Sequence, residues 1–176
     1  MGFDLSQVIR GRVWKFGDSI ETDAINPYYR YPTMDELKQH TMEAYRPEFP
    51  QQVKPGDVMV AGRNFGCGSS RPGLVLREVG VAAIVAESVA RLFLRNSISR
   101  AIPIFVAPGV TAIVQDGETL EVDYPKGVVR NPASGQSVAL RKYPPMIEKI
   151  FECGGLPEFA RERYLKEAAA AGRPKA

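Results

Sequence analysis

Four short apolar runs set the rhythm of the chain: GRVWKF at 11–16, VMVA at 58–61, VAAIVA at 81–86 and IPIFVA at 102–107. Short runs of this kind, bounded by Gly, Pro and Asp, predict strands, the one at 58–61 buried. Pro55-Gly56-Asp57 predicts the turn before the second of them. Between the runs the period becomes helical. Residues 87–100 place Val89, Leu92, Phe93 and Ser97 on one face of an amphipathic helix. A shorter helix is predicted over 72–78, ending near Gly80, because proline suits the first helical position and serine the position before it. Over 111–141 the pattern turns to VQDGETLEV and GVVRNPASGQSVAL, which predict short strands with hairpin turns. Two helices close the chain, one from Pro144-Pro145 to Gly154-Gly155 and one over 157–171.

The stretch 18–54 breaks this rhythm. It is rich in Pro, Tyr and polar residues, and only 34–44 reads as a helix. A loop that long is unusual unless it is functional or mobile, so 28–54 is expected to be a mobile segment. Strands alternating with helices, then hairpins, predict the α/β class: one layered domain over 1–176, a mixed β-sheet or barrel flanked by helices, with a tail at 172–176.

Composition narrows the classes of function. With 44% apolar and 24% charged residues the chain is ordinary for a globular domain, and its 176 residues suffice for a real core. A net charge of +3 is too mild to predict nucleic acid or a membrane surface as partner. No apolar run nears the roughly 20 residues that cross a bilayer. The first residues lack a basic stretch followed by an apolar core, and Cys67 and Cys153 form no disulfide framework, so a cytoplasmic protein is expected. The single histidine, His40, lies in a polar stretch and reads as a solvated surface residue. With His40, Cys67 and Cys153 far apart in sequence, no metal site is expected in this chain.

Candidate chemistry concentrates between 63 and 100, where six arginines face two glutamates and no lysine. Arginine presents a planar fork of donors suited to carboxylate or phosphate. Arg77 and Arg100 are expected to be solvated or paired with the local glutamates. The sharper feature is Gly66-Cys67-Gly68-Ser69-Ser70-Arg71. The glycines permit a tight turn with positive φ. If a helix starts at 72, Ser69 and Ser70 sit at its N-terminus, where free N–H groups favour an anion, and Arg71 adds a fixed charge. Such a turn can bind a carboxylate, activate a hydroxyl, or simply cap the helix with a serine. The GxGxxxxG spacing is not a dinucleotide fingerprint, and no Gly-Lys-Ser/Thr phosphate loop exists.

GRNFGCGSSR at 62–71 resembles the signature of isopropylmalate-isomerase small subunits and of the aconitase swivel domain. Three further stretches agree in order: GDSIETDAINP at 17–27, AESVARLFLRNSISRAIPIF at 86–105 and GGLPEFARERYLKE from Gly154. The resemblance spans about 11–166. It implies a swivel-type α/β fold and a heteromeric hydro-lyase that dehydrates and rehydrates a 2-hydroxy di- or tricarboxylic acid, as in leucine biosynthesis. It also implies a large-subunit partner that carries a 4Fe–4S cluster, with no cofactor on this chain. The catalytic base would be Ser69, and Ser70 and Arg71 would hold substrate carboxylates. Arg30, in the Tyr28-Tyr29-Arg30-Tyr31 stretch, would read a distal carboxylate, or the tyrosines would line a pocket for an alkyl group. Asp23 would contact substrate or hydrogen-bond structurally, as would Asn96. Arg95 would contact substrate or anchor the large subunit. The isolated chain is expected to be inert, with homo-oligomers possible.

A serine is too weak an acid to become a base unaided. A helix terminus supplies at most ~2 kcal/mol, or about 1.5 pKa units, so Arg71 and exclusion of water must supply the rest. Where the family signature continues with Glu after the arginine, this chain has Pro72-Gly73. Ser19, Glu21 and Ser99 replace asparagines of the other motifs. These departures leave the substrate open between isopropylmalate and another malate derivative. A rival reading is a non-catalytic module that grips an anion with the same turn; an RNA-binding role is disfavoured by the mild charge.

Overall fold

The computed structural model describes residues 3–71 and 73–170. Seven strands form one mixed sheet in the order β4-β3-β2-β1-β5-β6-β7. The parallel half consists of β1 (Ile9–Lys15), β2 (Val58–Ala61), β3 (Ala83–Ala86) and β4 (Ile104–Val106). β5 (Thr119–Asp123) pairs antiparallel with β1, followed by β6 (Val128–Arg130) and β7 (Ser137–Ala139). The four apolar runs of the sequence are thus the parallel half, and the hairpin segment is the antiparallel half. The sheet curls: beyond β7, Arg141 N–H donates to the Val106 carbonyl at the end of β4, 2.9 Å away.

Register explains why β2, β3 and β4 are apolar throughout. Val13, Val58, Ala83 and Phe105 belong to one buried cluster, whereas Trp14, Met59, Ile84 and Ile104 belong to the other. Successive side chains point to opposite faces, and both faces are covered. β5 instead alternates, with Leu120 and Val122 buried and their neighbours half-exposed.

The helices are α1 (Thr22–Ile25), α2 (Met34–His40), α3 (Phe49–Gln52), α4 (Leu74–Glu78), α5 (Arg91–Ser99), α6 (Val110–Ile113), α7 (Pro145–Cys153) and α8 (Leu156–Ala170). Three differences from the sequence reading matter. The segment 28–54 carries α2 and α3 and is pinned by Leu37, Met42 and Phe49, the last two at 0% exposure. Its pinning follows from anchors too sparse to register as a pattern, including the Thr33 capping box of α2. α5 starts four residues later than predicted because Glu87 serves another element. Its carboxylate accepts from Gly109 N–H, Thr111 N–H and the Thr111 hydroxyl at 2.6–3.0 Å, capping α6. Leu92, expected on the inner face of α5, is 48% exposed; Phe93 and Ser97 take the inner face. The end of the helix predicted to run to 171 and the tail lie outside the described residues.

Buried polar groups tie the strands to their turns. The Asp57 carboxylate accepts from Arg12, the Trp14 indole and Lys54 N–H. Burial pushes its acidity up in pKa, and these donors more than offset that, holding it below the usual carboxylate range. Arg77 bonds the Arg100 carbonyl and pairs with Glu78, the role expected of it.

Candidate active site

The glycine turn is stitched between two segments that the parallel sheet brings together. Gly66 and Cys67 N–H donate to the Ile20 carbonyl, and Thr22 N–H donates to the Cys67 carbonyl at 2.8 Å. On the other side Phe65 N–H donates to the Ser88 carbonyl and Ala90 N–H to the Phe65 carbonyl. Gly66, at φ +76°, lies so close to Phe93 of α5 that an added Cβ would stand 2.2 Å from the ring. Gly68, at φ +100°, faces the Thr22 hydroxyl. Two glycines are needed for different reasons: one for the approach of α5, one for the approach of α1.

Ser69 is half-buried, and two hydrogen bonds join it to Thr22. Ser69 N–H donates to Thr22 Oγ1 at 2.8 Å, and the two hydroxyl oxygens are 3.0 Å apart. Ser70 is exposed; its carbonyl accepts from the Asn96 side chain on α5. Arg71 turns toward Asp23 instead of bulk solvent, with its Nη1 3.2 Å from the carboxylate. Its guanidinium lies 5.3 Å from the Tyr28 ring centre and 4.5 Å from that of Tyr29. Asp23 therefore braces Arg71.

One expectation fails here. α4 begins at Leu74, behind Gly73, and has five residues with no side-chain cap. Ser69 and Ser70 therefore do not stand at the start of α4. Sequence reading passed over Thr22 altogether: it sits 47 positions from Ser69 and looks like an ordinary helix-start residue.

Beside this cluster opens a cavity of about 360 Å³ lined by Asp23, Tyr29, Arg30, His40, Glu43 and Tyr45 among others. That is the size of a small-molecule site. Arg30 is exposed on it and has no side-chain partner among the described residues. His40 keeps a partly exposed surface position, as expected, but with partners: its ring stacks on Tyr31 at 3.6 Å and its Nδ1 lies 2.7 Å from Glu43. Arg95 lines a different hollow, an apolar cleft with Leu92, Ile147, Ile150 and Leu156 between α5, α7 and α8. Asn96 borders both that cleft and the glycine turn. The structure thus gathers Ser69, Ser70, Arg71 and Asp23, places Arg30 on the adjoining cavity, and sets Arg95 apart.

Both cysteines are free and lie on separate elements. Cys67 Sγ is 3.6 Å from the Ile20 carbonyl and Cys153 Sγ is 3.1 Å from Glu162. Among the described residues no three His, Cys, Asp or Glu side chains group as metal ligands.

Residues 4–107, which contain both the turn and α1, match the family model described as the aconitase C-terminal domain. The chain belongs to that family. This aconitase-family chain is 45% identical over 161 residues to the 3-isopropylmalate dehydratase small subunit 1 of Methanopyrus kandleri, covering 89% of itself and 95% of the relative. It is 40% identical over 166 residues to the isopropylmalate/citramalate isomerase small subunit of Methanocaldococcus jannaschii, covering 92% and 99%. It is 45% identical over 163 residues to the methanogen homoaconitase small subunit of Methanothermobacter thermautotrophicus, covering 90% and 92%. Its fold matches the crystal structure of 3-isopropylmalate dehydratase from M. jannaschii with a TM-score of 0.84 and 34% identity, covering 93% of this chain and 99% of that one. The swivel-type α/β fold expected from the motifs is therefore the fold of this family member.

Proposed function

We propose that this chain is the small subunit of a two-subunit hydro-lyase acting on a 2-hydroxy di- or tricarboxylic acid, with Ser69 as the base. The observation that carries the reading is the half-exposed Ser69 hydroxyl, held by a buried threonine and placed two residues from a braced arginine. Ser69 Oγ, ionised by loss of its own hydrogen to water, takes the proton from the substrate carbon and becomes a neutral hydroxyl, and the C–H electron pair becomes the new C=C bond as hydroxide leaves the neighbouring carbon. Addition of water in the reverse sense, with the hydroxyl on the other carbon, completes the isomerisation. Ser70 and Arg71 hold substrate carboxylates, and Asp23 fixes the direction of the Arg71 fork.

The large subunit carries a 4Fe–4S cluster, whose chemistry when bound is Lewis-acid activation of the leaving hydroxyl. The incomplete donor set of this chain supports a cluster held by the partner. Arg95, on an apolar cleft joined to the turn through Asn96, meets the partner instead of the substrate. Two free cysteines fit a cytoplasmic setting.

Substrate choice lies at the cavity beside Arg71. Arg30 there has no side-chain partner among the described residues and suits a distal carboxylate, whereas Tyr29 and Tyr45 offer apolar wall. The relatives' names divide in the same way, between isopropylmalate or citramalate and homoaconitate. Co-expression with the large subunit, anaerobic cluster reconstitution and a screen of 2-hydroxy acids tests the reading. Dehydration of at least one such acid by the complex, and none by this chain alone, is expected. A fully loaded complex inert on the whole panel favours the anion-binding module.

A further inference from the structure

We propose that Thr22 is a positioning residue for Ser69: a buried hydroxyl that donates its hydrogen to Ser69 Oγ and prepares that oxygen to carry negative charge. The inference rests on Ser69 being the base.

The direction of the hydroxyl–hydroxyl contact follows from hydrogen accounting. Thr22 is 0% exposed, so its hydroxyl hydrogen cannot reach bulk water. Its oxygen already accepts the Ser69 N–H at 2.8 Å. Among the described residues, the acceptor left for its hydrogen is Ser69 Oγ, 3.0 Å away. Were Ser69 the donor, the Thr22 hydrogen would be orphaned in the interior, at a cost of about 1–3 kcal/mol. Ser69 has no such constraint, because it is half-exposed and its own hydrogen can face water or substrate. The arrangement is therefore one-way: backbone N–H of Ser69 to Thr22, hydroxyl of Thr22 to the Ser69 side chain.

That direction suits the chemistry. A donor aimed at Ser69 Oγ stabilises the oxygen when it is ionised more than when it is neutral. It also fixes the side-chain rotamer, since one residue grips both the amide and the hydroxyl of Ser69. Thr22 is itself held by its N–H to the Cys67 carbonyl and by its carbonyl to Asn26 N–H, both at 2.8 Å. With Ser69 four positions before the N-cap Gly73 of α4, the Thr22 hydroxyl is the side-chain donor found at Ser69 Oγ among the described residues.

The test compares Thr22→Val, which keeps the shape and removes the hydroxyl, with Thr22→Ser and Ser69→Ala, all in the reconstituted two-subunit complex. Thr22→Val is expected to lower kcat roughly 10- to 100-fold with KM little changed, and to move the rise of kcat to higher pH. Thr22→Ser should restore most of the turnover and the original pH profile. In this chain alone, amide hydrogen exchange gives a second reading: Ser69 N–H is protected in the native protein and in Thr22→Ser, and exposed in Thr22→Val. Wild-type turnover and pH profile in Thr22→Val, with Ser69→Ala inactive, overturn the role of Thr22 while leaving the base in place. Full activity in Ser69→Ala removes the base reading and this inference with it. If Thr22→Val does not assemble with the partner, Thr22→Ala removes the same hydroxyl with less bulk and carries the same expectations.

Discussion

Arg71 is oriented before any ligand arrives. A carboxylate on one side and two aromatic faces on the other restrict a side chain that would otherwise lose roughly 2 kcal/mol of rotamer freedom on binding. Arg71→Lys keeps the charge but gives up the fork and the flat stacking surface. In the reconstituted complex it is expected to lower kcat/KM at least about 10-fold, mostly through KM, as steady-state kinetics will show. Legibility at this scale was uneven. Ser69 and Arg71 stood out because serine, arginine and paired glycines occur together in six consecutive residues. Thr22 and the bracing role of Asp23 did not, because each meets its partner only after β1 and β2 align side by side and carry the segments that follow them together. No local pattern encodes a contact of that range.

Among the elements, the glycine turn depends on α5 as much as on its own residues. Gly66 is packed so tightly on Phe93 that a methyl group cannot be added without moving the helix. Gly66→Ala is expected to destabilise the fold by about 3 kcal/mol or more, from the left-handed backbone and the steric conflict together. Urea unfolding of this chain will read it, with Gly17→Ala as the control, since nothing stands within 4 Å of a Cβ built at Gly17. The strands β2 and β3 were readable from the chain because their two-sided burial demands apolar residues at every position. Helix starts were harder. α4 and α5 both begin later than expected, α4 because Gly73 has a non-helical backbone, α5 because Glu87 caps a different helix. The short helices α1, α3 and α6 have four residues each and are too brief to leave a periodic trace.

For the whole molecule, the mixed sheet explains how the candidate residues come together. The parallel half delivers Thr22, Ser69 and Arg71 to the loops that follow β1 and β2. Those loops supply a hydroxyl, a cation and a cavity, but no set of cluster ligands among the described residues. The α/β class and a mixed sheet or barrel were legible from the order of runs and hairpins, and the four motifs in sequence order pointed to the family. What the sequence did not disclose is the contact between Thr22 and Ser69, since the helix expected to start beside the serines begins only at Leu74. The account stands on Ser69 acting as base on a substrate bound between two subunits. The most direct measurement is the dehydration rate of the assembled, cluster-loaded complex carrying Ser69→Ala, with subunit association confirmed in the same preparation. The rate is expected to fall roughly 10²- to 10⁴-fold, the usual worth of a general base. A rate equal to that of the unaltered complex contradicts the account.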